Sequence, residues 1–189
     1  MIVVRPLQVD LLNSWTELFR AEQCTCYCHY WHFEEDKNTW LERCATTPEA
    51  NLEAMRVRAR SSDPLGLVAM DSEVCVGWMK LGPTSSLTKL RNQSVYRRLP
   101  LATDNATFVV GCFLIRTESR RRGVAKMLLE AAPSFVRGHG GIAIEAYPHK
   151  VVGRVHDAHA WRGRASMFES FGYQCVAEND VYPVYRLEL

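Results

Sequence analysis

The stretch Phe113-Leu-Ile-Arg-Thr-Glu-Ser-Arg120-Arg121-Arg122-Gly123-Val124-Ala125-Lys126 concentrates residues able to hold an anion. An apolar strand runs into a basic loop, and the loop opens a helix at a glycine. Unpaired backbone N–H groups and the helix dipole make such a helix start an anion site. Gly123 lets the backbone come close to a phosphate, and Ala125 is small for the same reason. Arg120, Arg121, Arg122 and Lys126 add positive charge. The other reading is a solvated basic turn. Three arginines at a helix N-terminus oppose the dipole, and an anionic ligand would relieve that conflict. The loop is not a nucleotide P-loop, because neither Gly-x-x-x-x-Gly-Lys-Ser/Thr nor Gly-x-Gly-x-x-Gly occurs.

A second segment gathers reactive side chains. Cys24-Thr-Cys26-Tyr-Cys28-His29-Tyr30-Trp31-His32 packs three thiols and two imidazoles into nine residues. Structural zinc favours Cys-x-x-Cys and a distant second ligand pair, so this spacing predicts no metal. No Cys-His-Asn framework accompanies the thiols, which leaves a nucleophilic cysteine unsupported. Buried small hydrophobes and a packed aromatic loop are the plain alternatives.

These segments need elements to position them. Ile2 to Leu7 reads as a first strand, and Leu11, Leu12, Trp15, Leu18 and Phe19 have helical spacing from Val9 onward. Glu34 to Arg60 is helical, with a break at Thr46-Thr47-Pro48-Glu49 where Thr47 would cap the second helix. Leu65 to Met70 and Cys75 to Leu81 are strands around the short loop Asp71-Ser72-Glu73, and Gly82-Pro83 ends the second. Thr84 to Asp104 is polar and basic, a helix and a loop. Its run Lys89, Arg91, Arg97 and Arg98 reads as a solvated face. Phe108 to Ile115 is apolar on both faces and predicts a central strand. Gly123 to Val136 is helical, with Pro133 expected to kink or shorten it. Ile142 to Tyr147, Gln174 to Ala177 and Val184 to Leu189 complete the strands. Ala158 to Phe171 forms the last helix, closed by Gly172. The order predicts an α/β domain with a mixed sheet covered by helices.

Arg120-Arg121-Arg122-Gly123-Val124-Ala125 resembles the Arg/Gln-x-x-Gly-x-Gly/Ala motif between the fourth strand and next helix of the GNAT acetyltransferases. Met127 to Ala132 continues the helix as in that family. Ile144-Glu145-Ala146-Tyr147-Pro148 resembles the fifth strand of one of its branches. Ser166-Met-Phe-Glu-Ser-Phe-Gly-Tyr173 resembles the family's Leu-Tyr-Glu-Lys-x-Gly-Phe segment, and Val76-Gly77-Trp78 its second and third strands. The resemblance covers roughly residues 65 to 189 and fits the element order before them.

The resemblance implies a GNAT fold over residues 1–189 as a single acyl-CoA N-acyltransferase domain, α+β in type. It implies a mixed central sheet of six to seven strands flanked by about four helices. It further implies acetyl-CoA as co-substrate and transfer of an acetyl group to a primary amine of a small molecule or an exposed amino group. The alternative it leaves is an acyl-CoA-binding protein or sensor without turnover. The pyrophosphate would sit on backbone from Arg121 to Lys126, and pantetheine would lie along Phe113, Leu114 and Ile115. A backbone N–H near Leu114 would meet the developing oxyanion. Phe168 stands in the cofactor region where many relatives place a general-acid tyrosine. Glu145 becomes a candidate base and Tyr147, two residues on and on the same strand face, a candidate acid; an outward charge and a core tyrosine are the alternatives. The Cys24–His32 segment would border the acceptor pocket, with Cys28, Tyr30 and Trp31 as substrate-binding residues. His149, His156 and His159 fall near the mouth after the fifth strand as solvated loop residues.

The chain has 189 residues, a net charge of +2 and 47% hydrophobic residues. That is a folded chain of single-domain length, without the basic excess of a nucleic-acid protein. The start lacks the pattern of a signal peptide, and no 18-residue apolar window occurs, so neither export nor a membrane span is expected. The seven cysteines are read as reduced thiols of a cytoplasmic protein, monomeric or a homodimer.

Overall fold

Alternation along Gly66–Asp71 sends Leu67 and Ala69 into one apolar cluster and Val68 and Met70 into another. A strand buried on both faces must lie inside a sheet with layers above and below. In the computed structural model, which describes residues 1–61, 63–93, 96, 104–150 and 161–189, that sheet has seven strands. They are β1 (Ile2–Pro6), β2 (Gly66–Asp71), β3 (Val74–Pro83), β4 (Thr107–Ile115), β5 (Ala143–Ala146), β6 (Gln174–Ala177) and β7 (Val184–Glu188). Their spatial order is β1-β2-β3-β4-β5-β7-β6. Only β4 and β5 run parallel; every other pair is antiparallel.

Among the described residues there are six α-helices, four of them long: α1 (Leu12–Ala21), α2 (Lys37–Thr46), α3 (Pro48–Arg60) and α5 (Val124–Gly138). The short ones are α4 (Thr88–Asn92) and α6 (Ala165–Glu169). On one face α5 presents Val124, Leu128, Leu129, Ala132 and Val136 to Leu67, Met79, Phe108 and Phe113. On the other, α1 and α3 bury Trp15, Leu18, Phe19, Leu52 and Met55 against Val68, Trp78 and Cys112. At roughly 1.5–3 kcal/mol per large apolar side chain, these two layers supply most of the driving force for folding. No helix among the described residues is long and apolar enough to cross a membrane.

Four local expectations are corrected. Thr47 occupies the position before α3 but does not cap it, because its hydroxyl donates back to the Arg43 carbonyl at 3.5 Å. The capping residue in this region is Asp36, which accepts from Asn38 N and Thr39 N at the start of α2. Pro133 does not end α5, which runs five residues further to Gly138. The helix expected over Ala158 to Phe171 is shorter: α6 spans Ala165–Glu169, and residues 158–160 lie outside the described residues. Arg97, Arg98, His156 and His159 also lie outside them. Gly82-Pro83 extends β3 rather than ending it, with Pro83 opposite Phe108.

Candidate active site

Two irregularities in β4 create the site. Leu81 faces Val110 and Lys80 faces Cys112, which leaves Gly111 unmatched in a β-bulge. A Cβ on Gly111 would meet Trp31 Nε1 at 2.8 Å, so the glycine is where the Trp31 indole lies on the strand. Next, β5 pairs with β4 only from Thr107 to Val110. Among the described residues the five from Gly111 to Ile115 therefore have β3 on one side and no strand on the other.

Hydrogen-bond alternation says which groups face that opening. Arg116 N donates to Val76 O at 3.0 Å, so these opposed residues form a bonded pair. In an antiparallel ladder bonded pairs recur every second residue, so Leu114 with Trp78 is the next one. Leu114 turns its N–H toward β3. Phe113 and Ile115 turn theirs toward the opening. The N–H groups near Leu114 that face the opening are those of its two neighbours. Arg120 Nε takes the Ile115 carbonyl at 3.2 Å.

The loop after β4 has the predicted geometry of an anion cradle. Arg121 (φ 61°) and Gly123 (φ 81°) are both left-handed. Successive N–H groups in such a turn form a concave donor surface at the start of α5. A Cβ on Gly123 would meet nothing within 4 Å, so the conformation alone demands glycine there and leaves the approach open. On β3, a Cβ at Gly77 would meet Val124 Cγ1 at 2.6 Å, so that glycine lets the helix start settle on the sheet.

A groove of about 730 Å³ runs along this loop, lined by Phe113, Leu114, Ile115, Arg120, Arg121, Gly123, Val124, Ala125 and Lys126. Gly163, Arg164, Ser166, Met167 and Ser170 form its other wall. Arg122 and Phe168, expected among the cofactor residues, do not line it. Arg122 is exposed, and Phe168 is buried against Phe113 and Tyr173. Arg120 turns away from the cradle: its Nη2 donates to Glu22 Oε2 at 2.7 Å. Glu22 also accepts from Thr117 N and Oγ1, and so ties α1 to the loop.

A second cavity of about 720 Å³ adjoins the groove and shares Phe113, Leu114, Arg120 and Trp161 with it. Cys28, Tyr30 and Trp31, the residues expected to border an acceptor, line it together with Cys24, Cys26, Trp40 and Cys112. Tyr27 (φ 44°) and Cys28 (φ 54°) adopt two consecutive left-handed conformations, a strained turn for bulky residues. The turn brings Cys28 Sγ within 3.1 Å of Trp78 Nε1, which donates to it. Cys24 and Cys26 Sγ lie 3.4 Å apart. Burial holds the Cys28 thiol well above its ordinary range, so it is protonated and not a nucleophile. Among the described residues no group of three or more His, Cys, Asp or Glu side chains gathers with metal-holding geometry. Glu22 is the single carboxylate lining either cavity among them.

Glu145 and Tyr147 come together but line neither cavity. Tyr147 Oη donates to Glu145 Oε2 at 2.5 Å, and Arg186 Nη1 donates to Glu145 Oε1 at 3.0 Å. The pair is buried under Tyr96, whose ring lies 4.8 Å from that of Tyr147. Sequence reasoning missed Glu22, Gln93, Trp161, Arg162 and Tyr182, which line the second cavity from distant parts of the chain. Trp161-Arg162-Gly163-Arg164 was the signal for two of them: an aromatic and two cations around a glycine before a helix.

No family model matches the chain, and no curated protein matches it. Solved structures do. The PaiA N-acetyltransferase from Thermoplasma acidophilum, in complex with coenzyme A, aligns over 100% of this chain and 99% of its own at 14% identity, with a TM-score of 0.56. The YncA protein from Salmonella typhimurium, with its cofactor acetyl-CoA, covers 100% and 94% at 15% identity and a TM-score of 0.57. The GNAT domain of S. lividans PAT covers 98% and 89% at 18% identity and 0.54. With its seven-stranded mixed sheet and the opening between β4 and β5, the chain has the fold of the GNAT N-acetyltransferases.

Proposed function

We propose that residues 1–189 act as one acetyl-CoA-dependent N-acetyltransferase unit that acylates a primary amine of a small molecule. One observation carries this reading: a groove beside the Arg120–Lys126 loop and an aromatic cavity meet at Phe113 and Leu114, on the part of β4 that β5 leaves unpaired. The left-handed Arg121 and Gly123 suit a pyrophosphate, with Arg121 and Lys126 beside it. Bound there, acetyl-CoA supplies an activated thioester. The Phe113 and Ile115 N–H groups are aimed where its carbonyl oxygen would gain charge, and one such donor is worth roughly 3–4 kcal/mol.

The amine is the harder half. A lysine-like ammonium has a pKa near 10.4, and bringing it to the neutral form at pH 7 costs about 4.6 kcal/mol. The aromatic walls of the second cavity oppose a bare cation by desolvation. Glu22 is the carboxylate in reach, held in place by Arg120 and Thr117. It would accept the proton, directly or through a water. Glu145 and Tyr147 act from behind, as a buried support under Tyr96. A second reading, acyl-CoA binding without turnover, draws on Phe168, which has no hydroxyl where the family motif carries a tyrosine.

Calorimetric titration of acetyl-CoA into wild type and Gly123→Trp tests the groove. Micromolar binding is expected in wild type, with a loss of about 100-fold, or about 2.7 kcal/mol, in the variant. No binding by wild type would overturn the assignment. Thiol release from acetyl-CoA with a panel of amines then separates turnover from binding alone.

A further inference from the structure

Among the described residues Arg162 is one of four buried acidic or basic side chains, with His32, Lys80 and Glu145, whose charges are not alike in their compensation. Glu145 is paired with Arg186. Burial makes His32 neutral and lowers the Lys80 pKa to about 8, within reach of deprotonation. Arg162 is 7% exposed and has no such escape, because a guanidinium does not deprotonate in proteins. Its partners are neutral: Nη1 donates to Tyr96 Oη at 2.9 Å and Nη2 to Gln93 Oε1 at 3.2 Å. Its Nε is buried and has no partner. Burial also raises the Tyr96 hydroxyl above its ordinary range, so that phenol does not supply a negative charge.

The cation lies over aromatic faces, 4.0 Å from the Tyr182 centroid, 4.6 Å from Trp161 and 5.5 Å from Trp31. These contacts soften its desolvation, but they leave its charge uncancelled. No carboxylate contacts it among the described residues, and Arg162, Trp161, Tyr182 and Trp31 all line the second cavity. A planar fork of donors with fixed orientation is suited to a carboxylate.

We propose that Arg162 binds an anionic group of the acceptor, so that the amine acetylated belongs to a small molecule that also carries a carboxylate. Its apolar or aromatic body would lie against Trp31, Trp161 and Tyr182. The inference rests on the acetyltransferase reading for the identity of the acceptor, but the anion site itself does not need CoA.

The probes are 3-phenylpropionate and its neutral isostere 3-phenylpropionamide, titrated with and without saturating CoA. The carboxylate is expected to bind at least tenfold tighter than the amide. Arg162→Met should erase that preference and Arg162→Lys should keep part of it, while both variants retain wild-type affinity for CoA. Thermal melts confirm that each variant is folded. In thiol-release assays, L-amino acids should exceed their α-carboxamides through a lower KM, with kcat little changed. Equal binding of the two probes, binding of neither, or a preference that survives Arg162→Met would overturn the proposal. Failure of wild type to bind CoA, with the carboxylate preference intact, would instead remove the acetyltransferase reading alone.

Discussion

The groove and the cavity that meet on β4 are built by different means. The loop wall of the groove lies within the single run Phe113 to Lys126, where two left-handed residues set its shape, and residues from Trp161 to Ser170 face it. The cavity is made of side chains from α1, the Cys24–Trp31 segment, Trp40, Gln93, Cys112, Trp161, Arg162 and Tyr182. The first is a conformation that a few residues impose on themselves. The second exists only when distant segments have already docked. A mutation in the groove should therefore act on binding, whereas a mutation in the cavity should act on folding and specificity together.

A pair of glycines tests this most severely. Gly111→Val drives a side chain into Trp31 and Lys80, and should destabilise the fold by about 2–3 kcal/mol in denaturant unfolding. Gly123→Val meets open space and should cost only about 1–2 kcal/mol of backbone strain while abolishing the binding of acetyl-CoA. Equal effects of the two on stability and on binding would dissolve the distinction between the regions.

A smaller effect of opposite sign is expected at Lys80. Its ammonium is fully buried on β3 with no hydrogen-bond partner, and burial lowers its pKa to about 8. At pH 7 it is still charged. Lys80→Met should stabilise the protein by about 1–2 kcal/mol, read as a rise in melting temperature. A fall instead would mean that the amine serves the cavity above it.

The smallest effect is a pH dependence. His32 Nδ1 lies 2.7 Å from the Ser86 carbonyl, so this nitrogen carries the proton, and Nε2 is buried without a partner. Burial, with the Lys80 charge adding to it, lowers the His32 pKa to about 2; burial and Arg43 lower that of His29 to about 4. The unfolded chain binds these protons near pH 6.5 and the folded chain does not. Stability is therefore complete above pH 6.5 and is lost as the pH falls below it. Melting curves from pH 7.5 to 4.5 should show this slope, and His32→Asn should flatten part of it.

What was legible in the sequence follows the same division. The loop after β4 could be read because the residues proposed to hold an anion are consecutive, and the strand feeding it is an unbroken apolar run. Cys28, Tyr30 and Trp31 were legible as one wall of a pocket, through the likeness to a fold that places that segment there. Arg162 and Glu22 were not, because each becomes functional through partners roughly 70 to 100 positions away, Gln93 and Tyr96 for one and Arg120 for the other. Which N–H groups near Leu114 face the opening was not legible, since ladder phase is settled by the Arg116–Val76 bond and not by composition.

The bond between Arg120 and Glu22 has a thermodynamic consequence. Arg120 belongs to the loop of the groove and Glu22 to the wall of the cavity, and each holds the other in place. Any ligand that shifts Arg120 shifts the wall on which a second ligand must sit. By reciprocity, whatever factor the first ligand applies to the affinity of the second is returned to it unchanged. The two compartments are thus linked in their occupancy, by the same factor whichever ligand arrives first.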